Sequence, residues 1–245
     1  MLLELGANAN AQAGRWYKTP LFFAAHHGNE GLVRALLDKG ANPTGRCVVD
    51  SSISTQNKTA LHVVTGTRRD YYDSSELHDA VLSALLEKVD DPNNLNLKDS
   101  YENTALHFAA NRNKGVNTVR MLLANGADPN AQNRWGKTAL HHADPDVASV
   151  LTAHKSIDPN IQDTDENTPL HLAVEKGFSG KTRVSILVGL KNIDIDVENG
   201  KGDTPLMIAE KKIEEICASG GHAEQQKDYE TLRDLLIEHG AAVND

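Results

Sequence analysis

One seven-residue phrase, TPLHLAV at residues 168–174, recurs along the chain and decides the fold. Its other copies are TPLFFAA at 19–25, TALHVVT at 59–65, TALHFAA at 104–110, TALHHAD at 138–144 and TPLMIAE at 204–210. The steps between the six threonines are 40, 45, 34, 30 and 36 residues. Recurrence near a period of about 33 indicates stacked structural repeats, because one such unit cannot bury its own apolar face.

A second, leucine-rich phrase follows each copy of the first. It reads LLDKGAN at 36–42, LLEKVDD at 85–91, LLANGAD at 122–128 and LLIEHGA at 235–241, with degenerate forms VLTAHKS at 150–156 and ILVGLKN at 186–192. One more copy, LLELGANANAQ at 2–12, opens the chain without a preceding phrase. The sequence therefore predicts half a repeat followed by six full repeats, and we expect the natural chain to begin upstream of Met1.

These paired phrases resemble the ankyrin-repeat family over essentially the whole chain. The tetratricopeptide and leucine-rich signatures are absent. The resemblance implies an all-α ankyrin-repeat solenoid of helix–turn–helix units with β-hairpin-like fingers. It also implies a single domain over residues 1–245. Its predicted parts are a half repeat at 1–13 and repeats at approximately 14–46, 54–98, 99–132, 133–162, 163–198 and 199–245.

The residue types suit such a unit. Each Thr can cap a first helix with its hydroxyl, and Pro20 stands at the first helical position, where its missing N–H costs nothing. Gly40 and Gly126 are predicted to end second helices in the left-handed conformation. Asn and Asp then favour the turn into the next finger.

Four departures from the pattern are predicted to change single repeats. Extra residues around 46–56 indicate a lengthened finger, and those around 67–75 a lengthened loop between the helices of repeat 2. Pro145, between two aspartates, is predicted to interrupt the first helix of repeat 4 and to make it the weakest point of the stack. In repeat 6 we expect residues 211–217 to prolong the first helix, and residues 228–238 to form the second.

Composition excludes several classes. The chain has 25 Lys and Arg against 34 Asp and Glu, a net charge of −9, so binding to nucleic acid is not expected. Residues 123–245 carry that charge, since residues 1–122 balance 13 against 13. No apolar run approaches the roughly 20 residues needed to cross a bilayer, so membrane insertion is not expected. Two distant cysteines favour an intracellular, cytoplasmic protein, or one in the host-cell cytosol if it is a secreted effector.

The chain offers no convincing chemical site. The fourth letter of the phrase is His62, His107, His141 or His171, which the resemblance implies to be structural. Residues 163–167 match the start of a calcium loop, but its sixth and twelfth positions hold Thr168 and Val174, which favours a finger turn. Metal and nucleotide motifs are absent. We therefore predict no enzyme, no metal and no cofactor.

The tips of the fingers are the predicted binding surface. Trp16 and Trp135 occupy the same repeat position, three before the Thr, each after an Arg, and Tyr101 takes that position in repeat 3. Trp, Tyr and Arg are enriched in interface hot spots. The alternative is that these rings pack on the adjacent finger. The predicted partner-contacting residues are Arg15, Trp16, Tyr17, Lys18, Tyr101, Glu102, Arg134, Trp135, Lys137, Asp165 and Glu166.

Three functional hypotheses follow. The first is a monomeric, non-catalytic interaction module or scaffold that binds a protein partner of unknown identity on the concave finger and inner-helix surface. The second is the targeting portion of a larger enzyme, or of a bacterial effector delivered into host cells. The third is modification, because Asn10 and Asn130 resemble positions at which asparaginyl hydroxylases modify the family, although a turn-forming role explains both.

Overall fold

The chain divides into two compact units, residues 1–134 and residues 135–245. The computed structural model describes residues 4, 6–12, 18–51, 54–66, 75–89, 91–111, 115–220 and 222–243. Three parts of the sequence predictions lie outside these residues: the leucines at positions 2, 3 and 5, the finger tip at 13–17, and most of the extra loop of repeat 2, at 67–74. The single domain expected over residues 1–245 stays a prediction.

The first unit is built from pairs of helices. Its elements are α1 Pro20–His26, α2 Glu30–Asp38, β1 Cys47–Ser51, β2 Ser54–Lys58, α3 Ala60–Gly66, α4 Ser75–Leu86, a 3₁₀ turn Pro92–Asn96, α5 Ala105–Ala110 and α6 Val116–Ala124. Helices α1 and α3 each pack on the second helix of their own repeat and on the first helix of the next, as α3 does on α4 and α5. The phrase leucines, such as Leu21, Leu61 and Leu106, are almost fully buried.

A two-stranded hairpin forms the finger between repeats 1 and 2. Strands β1 and β2 pair antiparallel, with Cys47 opposite Lys58 and Ser51 opposite Ser54. This confirms the lengthened finger predicted around residues 46–56. Its base is fixed by packing, because Cys47 is buried against Phe22 and Val63 of the first helices.

The second unit repeats the same plan. Its elements are α7 Ala139–His142, α8 Pro145–Thr152, α9 Pro169–Glu175, a 3₁₀ turn Gly177–Gly180, α10 Lys181–Val188, α11 Pro205–Ser219 and α12 Ala223–Glu238. The core of this unit comes from the same phrase positions, including Leu140, Leu170 and Leu206.

The predicted helix ends are confirmed for the Thr caps, the proline and the two glycines described next. Thr19 Oγ1 accepts a hydrogen bond from Phe22 N at 3.2 Å, and Thr204 Oγ1 accepts one from Met207 N at 3.3 Å. Pro20 is the first residue of α1. Gly40 and Gly126 follow α2 and α6 with φ of +79° and +94°. The caps satisfy amide and carbonyl groups that a helix end leaves without partners.

The first helix of repeat 4 is cut short as predicted, but Pro145 begins the second helix and does not lie inside the first. Pro145 is the first residue of α8, and Asp144 caps that helix by accepting a hydrogen bond from Val147 N at 2.9 Å. Proline suits this position because its ring presets φ and no N–H is needed. Repeat 4 is short because α7 has only four residues.

Repeat 6 has two long helices, as predicted. Helix α11 runs to Ser219, and Gly220 ends it in the left-handed conformation with φ of +65°. Helix α12 begins at Ala223, five residues before the predicted start. The first turn of α12 is polar, so the spacing of apolar residues, from which the start was predicted, does not include it.

Candidate functional site

Backbone hydrogen bonds join neighbouring fingers at one repeat position within each unit. In the first unit Arg134 N donates to Tyr101 O at 3.0 Å. In the second unit Thr164 N donates to Trp135 O at 2.9 Å, and Gly200 N donates to Asp165 O at 3.0 Å. Each bond uses the carbonyl of the residue three before a Thr, the position predicted to lie at the finger tip. Within each unit, these bonds therefore hold neighbouring tips together.

Buried histidines connect each first helix to the next finger. Thr59 N donates to His62 Nδ1 at 3.2 Å, so Nε2 carries the proton and donates to Asn103 O at 3.0 Å. His141 repeats the arrangement, with Nε2 donating to Asn167 O at 3.2 Å. Burial lowers the pKa of His62 and of His141 to about 4. These imidazoles are neutral structural bridges, as the resemblance implied.

Pairs of side chains connect neighbouring fingers, and these pairs alternate along the chain between Asn–Asn and Lys–Asp. From repeat 2 onward, the residue just before a Thr is paired with the residue five before the next Thr. Asn103 Oδ1 accepts from Asn133 Nδ2 at 2.9 Å, and Asn167 Oδ1 accepts from Asn199 Nδ2 at 3.0 Å. At the equivalent place in repeats 4 and 5, Lys137 Nζ lies 3.7 Å from Asp163 Oδ2. In repeats 2 and 3, Asp99 acts electrostatically on Lys58.

Replacing the Lys137–Asp163 pair by an Asn–Asn pair tests this pairing directly. We expect Asp163→Asn alone to cost about 1–2 kcal/mol, because its amide N–H would face the Lys137 ammonium. The double variant Lys137→Asn/Asp163→Asn should recover most of that loss, since it reproduces Asn103–Asn133. Urea unfolding of both variants and of Lys137→Asn gives the coupling free energy. Additive effects of the two substitutions would contradict the pairing.

Two of the predicted contact residues of the first unit, Tyr101 and Arg134, lie together. Arg15, Trp16 and Tyr17 lie outside the described residues. Tyr101 is half-buried, and the Arg134 guanidinium carbon lies 5.5 Å from its ring centroid. Tyr101 thus packs on the adjacent finger, which was the alternative interpretation of the tip rings.

Lys18 and Glu102, the other described contact residues of this unit, lie in different surroundings. Lys18 Nζ is 5.5 Å from the Phe22 ring centroid and 5.6 Å from that of Phe23. Glu102 is exposed at a finger tip, and Lys98 Nζ lies 3.0 Å from its Oε2.

The second unit holds the other predicted contact residues. Trp135 is 46% exposed, which is unusual for so large a ring. Asp165 and Glu166 are exposed, and Lys137 is half-buried beside Asp163. These four belong to adjacent fingers that Trp135 O and Thr164 N join.

Two glutamates occupy a backbone conformation that favours glycine. Glu102 and Glu166 both have φ of +60°, and the same finger position holds Gly136 and Gly202 in the neighbouring repeats. An L-residue there costs roughly 1–2 kcal/mol. The sequence showed the glycines but gave no signal that the glutamates share their strain.

The inner helices contribute exposed side chains that are not among the predicted contact residues. The fifth letter of the phrase gives Phe23, 44% exposed, and His142, also exposed. Phe108 and Leu172, at the same position, are half-buried. Lys58 Nζ lies 4.4 Å from the Phe108 ring centroid, and burial lowers its pKa. The sequence did contain one signal for this surface. The fifth residue of the phrase differs between copies, whereas the residues before it stay similar.

The aspartate turn at residues 163–167 closes on the backbone. Asp163 Oδ1 accepts from Asp165 N at 2.9 Å and from Asn167 N at 3.0 Å. This is the finger turn predicted in place of a calcium loop. Across the described residues there is no group of three or more His, Cys, Asp or Glu side chains arranged to hold a metal ion. No helix in those same ranges is long and apolar enough to span a bilayer.

Comparison with known proteins supports the repeat assignment. Family models for ankyrin repeats match residues 16–47, 89–143 and 143–219. The chain belongs to the ankyrin-repeat family. A solved ankyrin structure, the repeat domain of Bcl-3, shares 24% identity at a TM-score of 0.70, covering 96% of this chain and 89% of that one. At that identity the likeness shows the ankyrin fold alone.

Two relatives that contain a similar array are much longer than this chain. The NF-kappa-B p105 subunit of Gallus gallus is 27% identical over 204 residues, 81% of this chain and 18% of the relative. A Dictyostelium discoideum protein named "Probable serine/threonine-protein kinase" is 31% identical over 150 residues, 54% of this chain and 18% of the relative. The ankyrin chain thus spans less than a fifth of either relative.

Proposed function

We propose that the chain is a non-catalytic interaction module that binds a protein partner on its fingers and inner helices. The observation that carries this proposal is Trp135, which is 46% exposed on a finger held by the backbone bond from Thr164. A large ring kept in water costs solubility, while buried in an interface it is among the strongest contributors to affinity. Its rigid support reduces the entropy lost on binding.

The remaining predicted contacts belong to the same proposal. Tyr101, Glu102 and Arg134 would contribute in the first unit, together with Lys18 and the three tip residues before it. Lys137, Asp165 and Glu166 would contribute in the second. We propose that the module acts as a monomer inside the cell.

Substituting Trp135 tests the proposal. Full-length chain, wild type or Trp135→Ala, is expressed in the native cell and affinity-purified, and the partner retained is quantified by mass spectrometry. We expect Trp135→Ala to reduce retention about tenfold or more, as for an interface hot spot.

The matched control is Phe178→Ala. Phe178 is 71% exposed, more than Trp135, but lies in the turn between α9 and α10 rather than on a finger. It should retain the partner fully. Equal retention by both variants, with helical circular dichroism unchanged, would show that Trp135 is not part of the binding surface.

The second candidate is the targeting portion of a larger enzyme or of an effector delivered into host cells. The relatives favour it, because the chain matches only 18% of a protein named as a kinase. Sequencing the flanking genomic DNA tests it. An in-frame extension that encodes a catalytic motif would support this candidate, and stop codons on both sides would contradict it.

A further inference from the structure

Aromatic and basic side chains lie side by side on the inner helix of repeat 1. Phe23 is 44% exposed, and its ring packs edge to face on the buried Phe22, with the ring centroids 6.0 Å apart. Lys18 Nζ lies 5.6 Å from the Phe23 centroid and 5.5 Å from that of Phe22. His26 is exposed one turn beyond Phe22 and stacks on that ring at 6.5 Å. We call Lys18, Phe23 and His26 the α1 patch.

The surroundings of the α1 patch favour negative charge. Partial burial lowers the pKa of His26. Its neighbours His27, Lys18 and His78 lower that pKa further, because each disfavours a positive charge on the ring. A surface that resists one more cation attracts an anionic group from outside.

The carboxylates on the helices of the first unit lie away from this patch. Helices α1, α3 and α5 contain no Asp or Glu over their described lengths, whereas α2 carries Glu30 and Asp38 and α4 carries Asp79. Glu30 is held by Arg34 at 2.8 Å. Among the residues that the structure describes, none forms an ion pair with Lys18. The Lys18 ammonium and the open Phe23 ring therefore both remain available to a partner.

We infer that the α1 patch docks an acidic segment of the partner, in which a carboxylate pairs with Lys18 and a nearby aliphatic or aromatic side chain covers Phe23. Charge complementarity selects this occupant, because the patch would repel a basic segment. Phe23 supplies the apolar area that a contact between charges alone would lack. The ring N–H of His26 adds a donor for the same carboxylate. The inference rests on the proposed function and names the chemistry of the partner.

Selection from a random decapeptide phage library on the full-length chain tests the inference. The selected peptides should combine Asp or Glu with an adjacent or next-but-one Leu, Ile, Phe or Trp. The best peptide is then synthesised and its affinity measured by fluorescence anisotropy. Phe23→Ala should bind it about tenfold more weakly, as for an interface hot spot. Lys18→Glu should weaken it about tenfold as well, because two carboxylates would then meet.

A charge exchange shows whether Lys18 itself makes the contact. The peptide with its acidic residue changed to Lys should bind Lys18→Glu about fivefold or more tightly than it binds the wild type. The matched controls lie on the outer helix of the same repeat. Leu32→Ala removes a side chain that is 42% exposed on α2, and Lys39→Glu reverses an exposed charge at the end of α2. Both controls should bind the original peptide like the wild type.

Several outcomes would overturn the inference. They are a library that yields no binding peptide, peptides without an enriched acidic position, and equal losses in Lys18→Glu and Lys39→Glu. A second copy of the chain on the patch, seen as a dimer in analytical ultracentrifugation that Phe23→Ala abolishes, would also overturn it. Peptides that lose affinity with Trp135→Ala but not with Phe23→Ala would overturn it while leaving the proposed function intact. The partner-retention assay decides the proposed function separately.

Discussion

Lowering the pH from 7 to 5 is expected to reduce the free energy of unfolding by about 2 kcal/mol for each of His62 and His141. Both rings accept a Thr N–H at Nδ1 and donate from Nε2, which only the neutral ring can do. A proton on Nδ1 would point two donors at each other. Domains are marginally stable, at about 5–15 kcal/mol, so this loss is a large fraction.

The sign follows from the two pKa values. The unfolded histidine titrates near its ordinary pKa of about 6.5, whereas burial lowers the pKa of folded His62 and His141 to about 4. Between these values the unfolded chain binds more protons, so stability is complete above pH 6.5 and is lost as the pH falls toward 4. The pKa of His171 is lowered in the same direction, again by burial.

Urea unfolding followed by circular dichroism at pH 7, 6 and 5 measures this effect. The matched variants are His62→Met and His141→Met, because Met207 stands at the same repeat position and its sulfur accepts from Thr204 N at 3.5 Å. They should be less stable at pH 7 but should lose less stability on acidification. Wild type and variants with the same pH dependence would refute the role given to these histidines.

Gly180→Ala is expected to destabilise the second unit by about 3 kcal/mol or more. A Cβ at Gly180 would lie 1.8 Å from the Ala173 carbonyl oxygen, and that oxygen belongs to helix α9. No rotamer change can relieve this contact, because both sides are backbone. The α9–α10 connection would have to move apart, and the buried contacts of Leu170 and Leu187 would be lost with it.

Thermal unfolding of Gly180→Ala is compared with Gly189→Ala. Gly189 ends the same helix α10 with φ of −75°, and a Cβ there makes only an ordinary contact of 3.5 Å. The control should be neutral or slightly more stable, because alanine restricts the unfolded chain. A Gly180→Ala melting temperature equal to that of the control would show that α9 and α10 can separate without cost.

The sequence predicted those parts of the fold that repeat. Thr19, Gly40 and Leu61 occupy positions that recur in several copies, so one physical role explains each. Features that occur once were harder to predict. Pro145 begins α8 and does not interrupt the first helix of repeat 4, because that helix, α7, already ends at His142. The start of α12 at Ala223 has no apolar pattern to mark it.

The candidate site was predictable only in part. The repeat position of Trp135 indicated a finger tip, and its exposure agrees. Whether a tip ring packs or stays open depends on the next finger, and Tyr101 packs because Arg134 covers it. The finger surface around Asp163 required three-dimensional contacts between residues 26 to 36 positions apart, such as Lys137–Asp163 and Gln162–Glu198. No local pattern records such contacts.

The alternation of finger pairs has a consequence for how such a chain can evolve or be re-engineered. Removing one of repeats 3 to 5 would bring a lysine or an aspartate of one pair against an asparagine of another, whereas removing two consecutive ones among them would keep the pairs matched. Recombination in steps of two repeats should therefore preserve folding more often than recombination in single steps. The side-chain pairs between fingers thus restrict which repeats can be neighbours in the stack.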